Sequence, residues 1–152
     1  MSTEVHDLSI AELSGLIASR KLSPVELVDA LIRRVEAFDA QTQAFITRTF
    51  DLARRQARQA EAEIAAGNYR GPLHGIPFGL KDIYDTQGIL TSGHSRVFSD
   101  RVPSEDATTT SRLYAAGAIL LGKLATHEMA HAGPSFDLPW PPARNPWDLV
   151  RF

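Results

Sequence analysis

Three stretches of the chain carry residues whose types and spacing could do chemistry. Lys81 ends the apolar run Gly75-Ile76-Pro77-Phe78-Gly79-Leu80. A turn, Asp85 to Gly88, and the small polar segment Thr91 to Ser95 follow it. His127-Glu128-Met129-Ala130-His131 has the spacing HExxH, which on a helix puts two imidazoles on one face with a glutamate beside them. Gly117-Ala118-Ile119-Leu120-Leu121-Gly122-Lys123 approaches the phosphate-binding pattern GxxxxGK followed by Ser or Thr.

Lys81 has two readings. One is a surface lysine at a strand end, the ordinary place for this residue. The other is a lysine shielded by Ile76, Phe78 and Leu80. Loss of water disfavours the ammonium and leaves a neutral amine able to take a proton from a serine hydroxyl. Such a site also needs the serine, a route for the proton and N–H donors for an oxyanion.

The other two motifs fail on context. Ala132-Gly133-Pro134 would break a helix straight after His131, and no histidine follows to serve as a third ligand, so no metal site is expected. In the glycine-lysine motif Leu124 replaces the hydroxyl that would meet magnesium. The four residues between its glycines are an apolar strand rather than a loop with free N–H groups.

The chain has 152 residues, which predicts one domain with a core able to fold alone. Charged residues make up 22% and hydrophobic ones 43%, an ordinary balance for a soluble protein. A net charge of −2 argues against nucleic-acid binding, which wants a basic patch. The absence of cysteine excludes disulfides and thiolate chemistry and allows a reducing compartment. The start, MSTEVHDLS, is too polar for a signal peptide, and no apolar run approaches the ~20 residues of a membrane span. A cytoplasmic location is expected.

The elements that must position these residues are legible from capping and periodicity. Ser9-Ile10-Ala11-Glu12 and Ser23-Pro24-Val25-Glu26 read as capping boxes. The stripe Leu27, Val28, Leu31, Ile32, Val35 supports a helix to about Phe38. Ala44 to Phe50 reads as a strand, and Asp51 is placed to cap a helix running to about Ala66, stopped by Gly67-Asn68. Gly75 to Leu80 is an atypical strand, since proline prefers a strand start and glycine marks close approach. Asp106 is a plausible cap for a helix from Ala107 to Ala116, ended by Gly117. Ala118 to Leu121 reads as a strand buried on both faces. Prolines exclude regular structure after Gly133, and Trp140 and Trp147 would be exposed unless this tail folds back.

Gly75-Ile76-Pro77-Phe78-Gly79-Leu80-Lys81-Asp82, then Gly88, Thr91 and Ser95, resembles the opening half of the amidase signature family. The match continues through Glu105-Asp106-Ala107, Ala115-Ala116-Gly117-Ala118, Gly122-Lys123, His127-Glu128 and Arg144-Asn145-Pro146-Trp147-Asp148. The resemblance implies an α/β fold, with N-terminal helices and part of a mixed sheet flanked by helices. It implies an amide-bond hydrolase with a serine nucleophile, a bridging serine and a lysine base, the last matched by Lys81. It also implies that glycine-loop N–H groups hold the oxyanion, that no cofactor or metal takes part, and that Ala130 lies near the substrate. One departure is His94, where the family has glycine before the serine of its TxxGS block.

On this resemblance the chain is the N-terminal part of a single amidase domain. Residues 1–70 are its helical lead-in, 71–132 its lysine-bearing α/β core and 133–152 a proline-rich tail. It stops before the family's Gly/Ser-rich nucleophile loop, so it is expected to be inactive alone and marginal in solution. The expected partner of the complete protein is a small-molecule amide, with no nucleic acid and no membrane. The alternatives are a non-catalytic interaction module and the A-type subunit of a glutamine-dependent amidotransferase.

Overall fold

A computed structural model describes residues 4–131 and 133–152. Met1, Ser2, Thr3 and Ala132, the last a part of the proposed helix break, lie outside it. The main elements in order are α1 (Ile10–Ala18), α2 (Pro24–Thr42), β1 (Phe45–Arg48), α3 (Phe50–Ala65), β2 (Pro77–Lys81), α4 (Thr108–Ala115) and β3 (Ile119–Leu124). The strands form one mixed sheet in the order β1-β3-β2, with β1 antiparallel to β3. Helices precede a mixed sheet, as the sequence predicts.

Local signals explain most of these elements. Ser9 Oγ accepts from Glu12 N while the Glu12 carboxylate accepts from Ser9 N, so both halves of the first capping box form. At α2 only half forms as expected. Glu26 reaches back to Ser23 N, but Ser23 Oγ accepts from Val25 N and donates to Glu61. Pro24 is the first residue of α2 and Pro77 the first of β2, the positions where a missing N–H costs least. Two expected caps are corrected. Asp51 lies inside the first turn of α3, behind Thr49, whose hydroxyl donates to Leu120 O. Asp106 Oδ1 accepts from Gln87 N rather than from α4.

The chain divides into two compact units. The first takes Met1–Val35, Thr49–Phe78 and Arg112–Leu121. Its core is Leu13, Ile17, Leu27, Ile64 and Ile76, with Leu31 packed against them, so the stripes on α1, α2 and α3 meet as their periodicity requires. Truncating a fully buried residue such as Leu27 to alanine costs about 2–5 kcal/mol. The second unit takes Glu36–Arg48, Gly79–Ser111 and Gly122–Phe152. In it Gly79 is required by close approach, because a Cβ there would stand 2.7 Å from the Leu124 side chain. Gly122 leaves room for β1, since its Cβ would meet Thr47 O at 2.4 Å.

A clasp in the first unit joins α3 to the segment before β2. Buried His74 accepts from Arg70 N at Nδ1, so its hydrogen is on Nε2, which faces Glu63 Oε2 at 3.1 Å. Gly117 lies against the ring. A Cβ there would be 2.3 Å from His74 Cδ2, and its φ of +82° suits glycine. Burial pushes the His74 pKa down, opposed by Glu63. The folded state therefore binds this proton less readily than the unfolded chain. The stabilisation is fully present above the unfolded value of about 6.5 and is lost as pH falls below it. Melting temperature should rise with pH through that window in the parent and rise less steeply in His74→Asn. Equal slopes in the two proteins would remove His74 as the cause.

Candidate active site

The site lies within the second unit, and its starting point is the end of β2. A strand points successive side chains to opposite faces. Leu80 is buried, so Lys81 emerges on the other face and is exposed, and Asp82 turns back inside and is completely buried. The shielding of Lys81 by Ile76, Phe78 and Leu80 is thus corrected. Ile76 and Leu80 are themselves buried in cores and leave the lysine in contact with water.

The desolvated lysine is Lys123, one residue before the end of β3, with no exposed surface. Its ammonium donates to Thr91 Oγ1 at 2.6 Å and Tyr84 O at 2.9 Å, and stands 3.4 Å from Asp82 Oδ1. The other carboxylate oxygen of Asp82 accepts from both Ser92 N and Ser92 Oγ, at 2.9 and 2.6 Å. Burial pushes the Lys123 pKa down, and the charge of Asp82 opposes this. Lys123 is enclosed and held by two hydrogen bonds and the Asp82 ion pair, so it is a structural group rather than a base for a substrate.

Asp82 is fixed by its backbone as well. Its N–H donates to Leu124 O at 3.0 Å and its carbonyl accepts from Gly93 N at 2.9 Å. The residue next to Lys81 is therefore held by β3 and by the 91–93 loop. Lys81 itself lines a cavity of about 270 Å³ together with Ala125, Thr126, His127, Ala130 and Pro142. The two site residues expected from sequence, Lys81 and Ala130, share this cavity, and both are exposed to it.

The serines near Lys81 are already engaged. Ser92 Oγ bonds to Asp82 and accepts from His94 N, while Ser95 Oγ donates to Glu128 Oε1 at 2.7 Å. Both serines are buried. Neither presents a free hydroxyl to an amide.

The HExxH stretch is not an α-helix. Glu128–Ala130 is a single 3-10 turn, Met129 and Ala130 have φ of 51° and 58°, and His131 is extended. The two imidazoles are not stacked one turn apart, and Glu128 is bound to Ser95. Among the described residues no group of three His, Cys, Asp or Glu side chains could hold a metal ion. The glycine-lysine motif is strand β3, with its backbone committed to the sheet.

Sequence reasoning missed Lys123 and Asp82 as a buried pair. The available signal was a lysine at the end of a fully apolar strand, where a charge needs a partner. It also left open what His94 does. That residue is buried, with φ of 55°, the left-handed conformation that explains why glycine suits the position.

The chain belongs to the Amidase family, whose pattern matches residues 26–152. It is 43% identical over 148 residues to the A-type subunit of the glutamyl-tRNA(Gln) amidotransferase of Moorella thermoacetica, covering 97% of this chain and 30% of that protein. It is 40% identical over 144 residues to the putative amidase AmiD of Mycobacterium tuberculosis, covering 95% and 30%. Among solved structures it is similar to the native peptide amidase from Stenotrophomonas maltophilia. The TM-score is 0.83 at 30% identity, over 94% of this chain and 31% of that one. The chain spans about 30% of the length of the curated relatives it matches.

The two lysines should separate in stability measurements. Asp82→Ala leaves the Lys123 charge buried without its partner and should cost about 3–5 kcal/mol in urea unfolding. Lys81→Ala removes an exposed side chain and should stay within about 0.5 kcal/mol of the parent. The opposite ranking would show the burial to be misassigned.

Proposed function

We propose that these 152 residues are the N-terminal part of one amidase domain whose complete protein hydrolyses a small-molecule amide, with Lys81 as the base of a Ser-Ser-Lys triad. The observation that carries this reading is the placement of Lys81. It stands on an open cavity with Ala130, while its neighbour Asp82 is locked into the interior. A lysine held by its backbone but free at its amine is suited to work on something that docks from outside.

The chemistry follows from charge. An ammonium cannot accept a proton, so Lys81 must lose water before it can serve as a base. A wall that covers it would do this, and the same wall would bring the serine nucleophile and the bridging serine. Lys81 would then take the nucleophile's proton through the bridging hydroxyl as the serine oxygen adds to the amide carbonyl carbon. It would return that proton to the leaving amine as the C–N bond breaks, and water, giving a proton to the same relay, would then release the acid from the acyl-serine. Backbone N–H groups beside the nucleophile would hold the oxyanion. Ala130 would lie against the substrate.

This reading needs no cofactor, nucleic acid or membrane, and it puts the protein in the cytoplasm. Among the described residues no helix is long and apolar enough to cross a membrane. A second reading is an amidotransferase component that releases ammonia from glutamine. It is favoured by the 43% identity to the Moorella glutamyl-tRNA(Gln) amidotransferase chain. Simple amides and glutamine, offered separately to the complete protein, distinguish the two.

The 152-residue chain assayed alone should show no turnover of simple amides above buffer. Turnover that vanishes in Lys81→Ala would overturn the assignment, because the triad would then be complete without outside serines. In the complete protein Lys81→Ala should lower kcat by about 10²-fold or more. A kcat unchanged by that substitution would remove Lys81 from the mechanism.

A further inference from the structure

Four consecutive residues, Gly93 to Arg96, each hold a different point of the segment that walls the Lys81 cavity. Gly93 O accepts from Met129 N at 2.8 Å. His94 meets Thr126 and Trp140. Ser95 bonds Glu128, and Arg96 bonds Asp137 O. Of these anchors, His94 alone replaces the glycine that the resemblance leads one to expect.

The geometry at His94 is that of a two-ended tie. Nε2 lies 2.8 Å from the carbonyl oxygen of Trp140, to which it donates in the tautomer that carries the hydrogen there. In that tautomer Nδ1 accepts from Thr126 N at 3.3 Å, with the Thr126 carbonyl beside it. The imidazole and the Trp140 indole stand edge to face, with centroids 6.1 Å apart. Thr126 lines the Lys81 cavity directly, and Trp140 is two residues before Pro142, which lines it as well. Glycine at position 94 would satisfy the backbone angle and make neither contact.

We infer that His94 is a positioning residue that ties Thr126 to the proline-rich segment and so sets the wall of the Lys81 cavity built from Pro134, Pro142 and Ala143. The role of that wall in selecting an amide rests on the function proposed above, but the tie itself does not. It exists in this chain and can be read without any turnover.

The chain has two tryptophans, and Trp147 is 94% exposed, so Trp147→Phe leaves Trp140 as a clean reporter. In that background His94→Gly should shift Trp140 emission to the red. Its acrylamide quenching should rise to the level of Trp147 in the parent, at a temperature where circular dichroism shows the helices intact. Emission and quenching unchanged by His94→Gly would overturn the tie. A measurement on the unaltered chain guards against a variant that does not fold. Nitrogen-15 NMR of the imidazoles should show a slowly exchanging Nε2–H on His94 in addition to that of buried His74, the His94 signal being the one absent from His94→Gly. Rapid exchange at His94 Nε2 would equally overturn the inference. Neither readout depends on amidase activity, so failure of the tie and failure of the proposed reaction are distinct results.

Discussion

A lysine ammonium enclosed in protein must be given back, by the protein, what water supplied to it. The penalty for burying each ion is several kcal/mol, and only good geometry offsets it. Lys123 is such a group, and its acceptors are Asp82, Thr91 and Tyr84. Meeting this demand brings the end of β2, the end of β3 and the 91–93 loop to one point. Asp82 completes the arrangement through Ser92, Gly93 and Leu124. The exposed Lys81 takes its position from this interior pair, because its own backbone has almost no freedom left once its neighbour is held.

The same loop works in two directions. Inward, Thr91 and Ser92 complete the ion pair. Outward, Gly93 to Arg96 organise the segment after β3. A stretch of six small or polar residues thus connects the lysine's foundation to the wall of its cavity. This division also accounts for serines that are close to Lys81 in sequence and yet unavailable to it. Their hydroxyls are bound to carboxylates that the architecture needs.

Several features of the fold were legible because their causes are local. The Ser9–Glu12 box, the start of α2 at Pro24, the strand start at Pro77 and the helix stop at Gly117 each depend on a few adjacent residues. The apolar run after Gly117 is a strand buried along nearly all its length. Asp51 does not cap because α3 begins at Phe50 and leaves it inside the first turn, and the Asp106 carboxylate takes Gln87 N instead. The prolines after Gly133 predict an irregular tail whose two tryptophans are exposed unless it folds back. Trp140 folds onto His94, while Trp147 stays in solvent.

The sequence by itself determined the kind of protein: the ordered blocks from Gly75 to Asp148, the helix boundaries and the alternation that puts Lys81 at a strand end. Tertiary structure alone decided which lysine would be dry. Alternation along β2 turned Lys81 outward, and the acceptors that make burial tolerable for Lys123 lie 32 and 39 residues earlier in the chain, at Thr91 and Tyr84. Periodicity and capping act between neighbours, and so they are written in the order of residues. Burial of a charge depends on groups that only folding brings together.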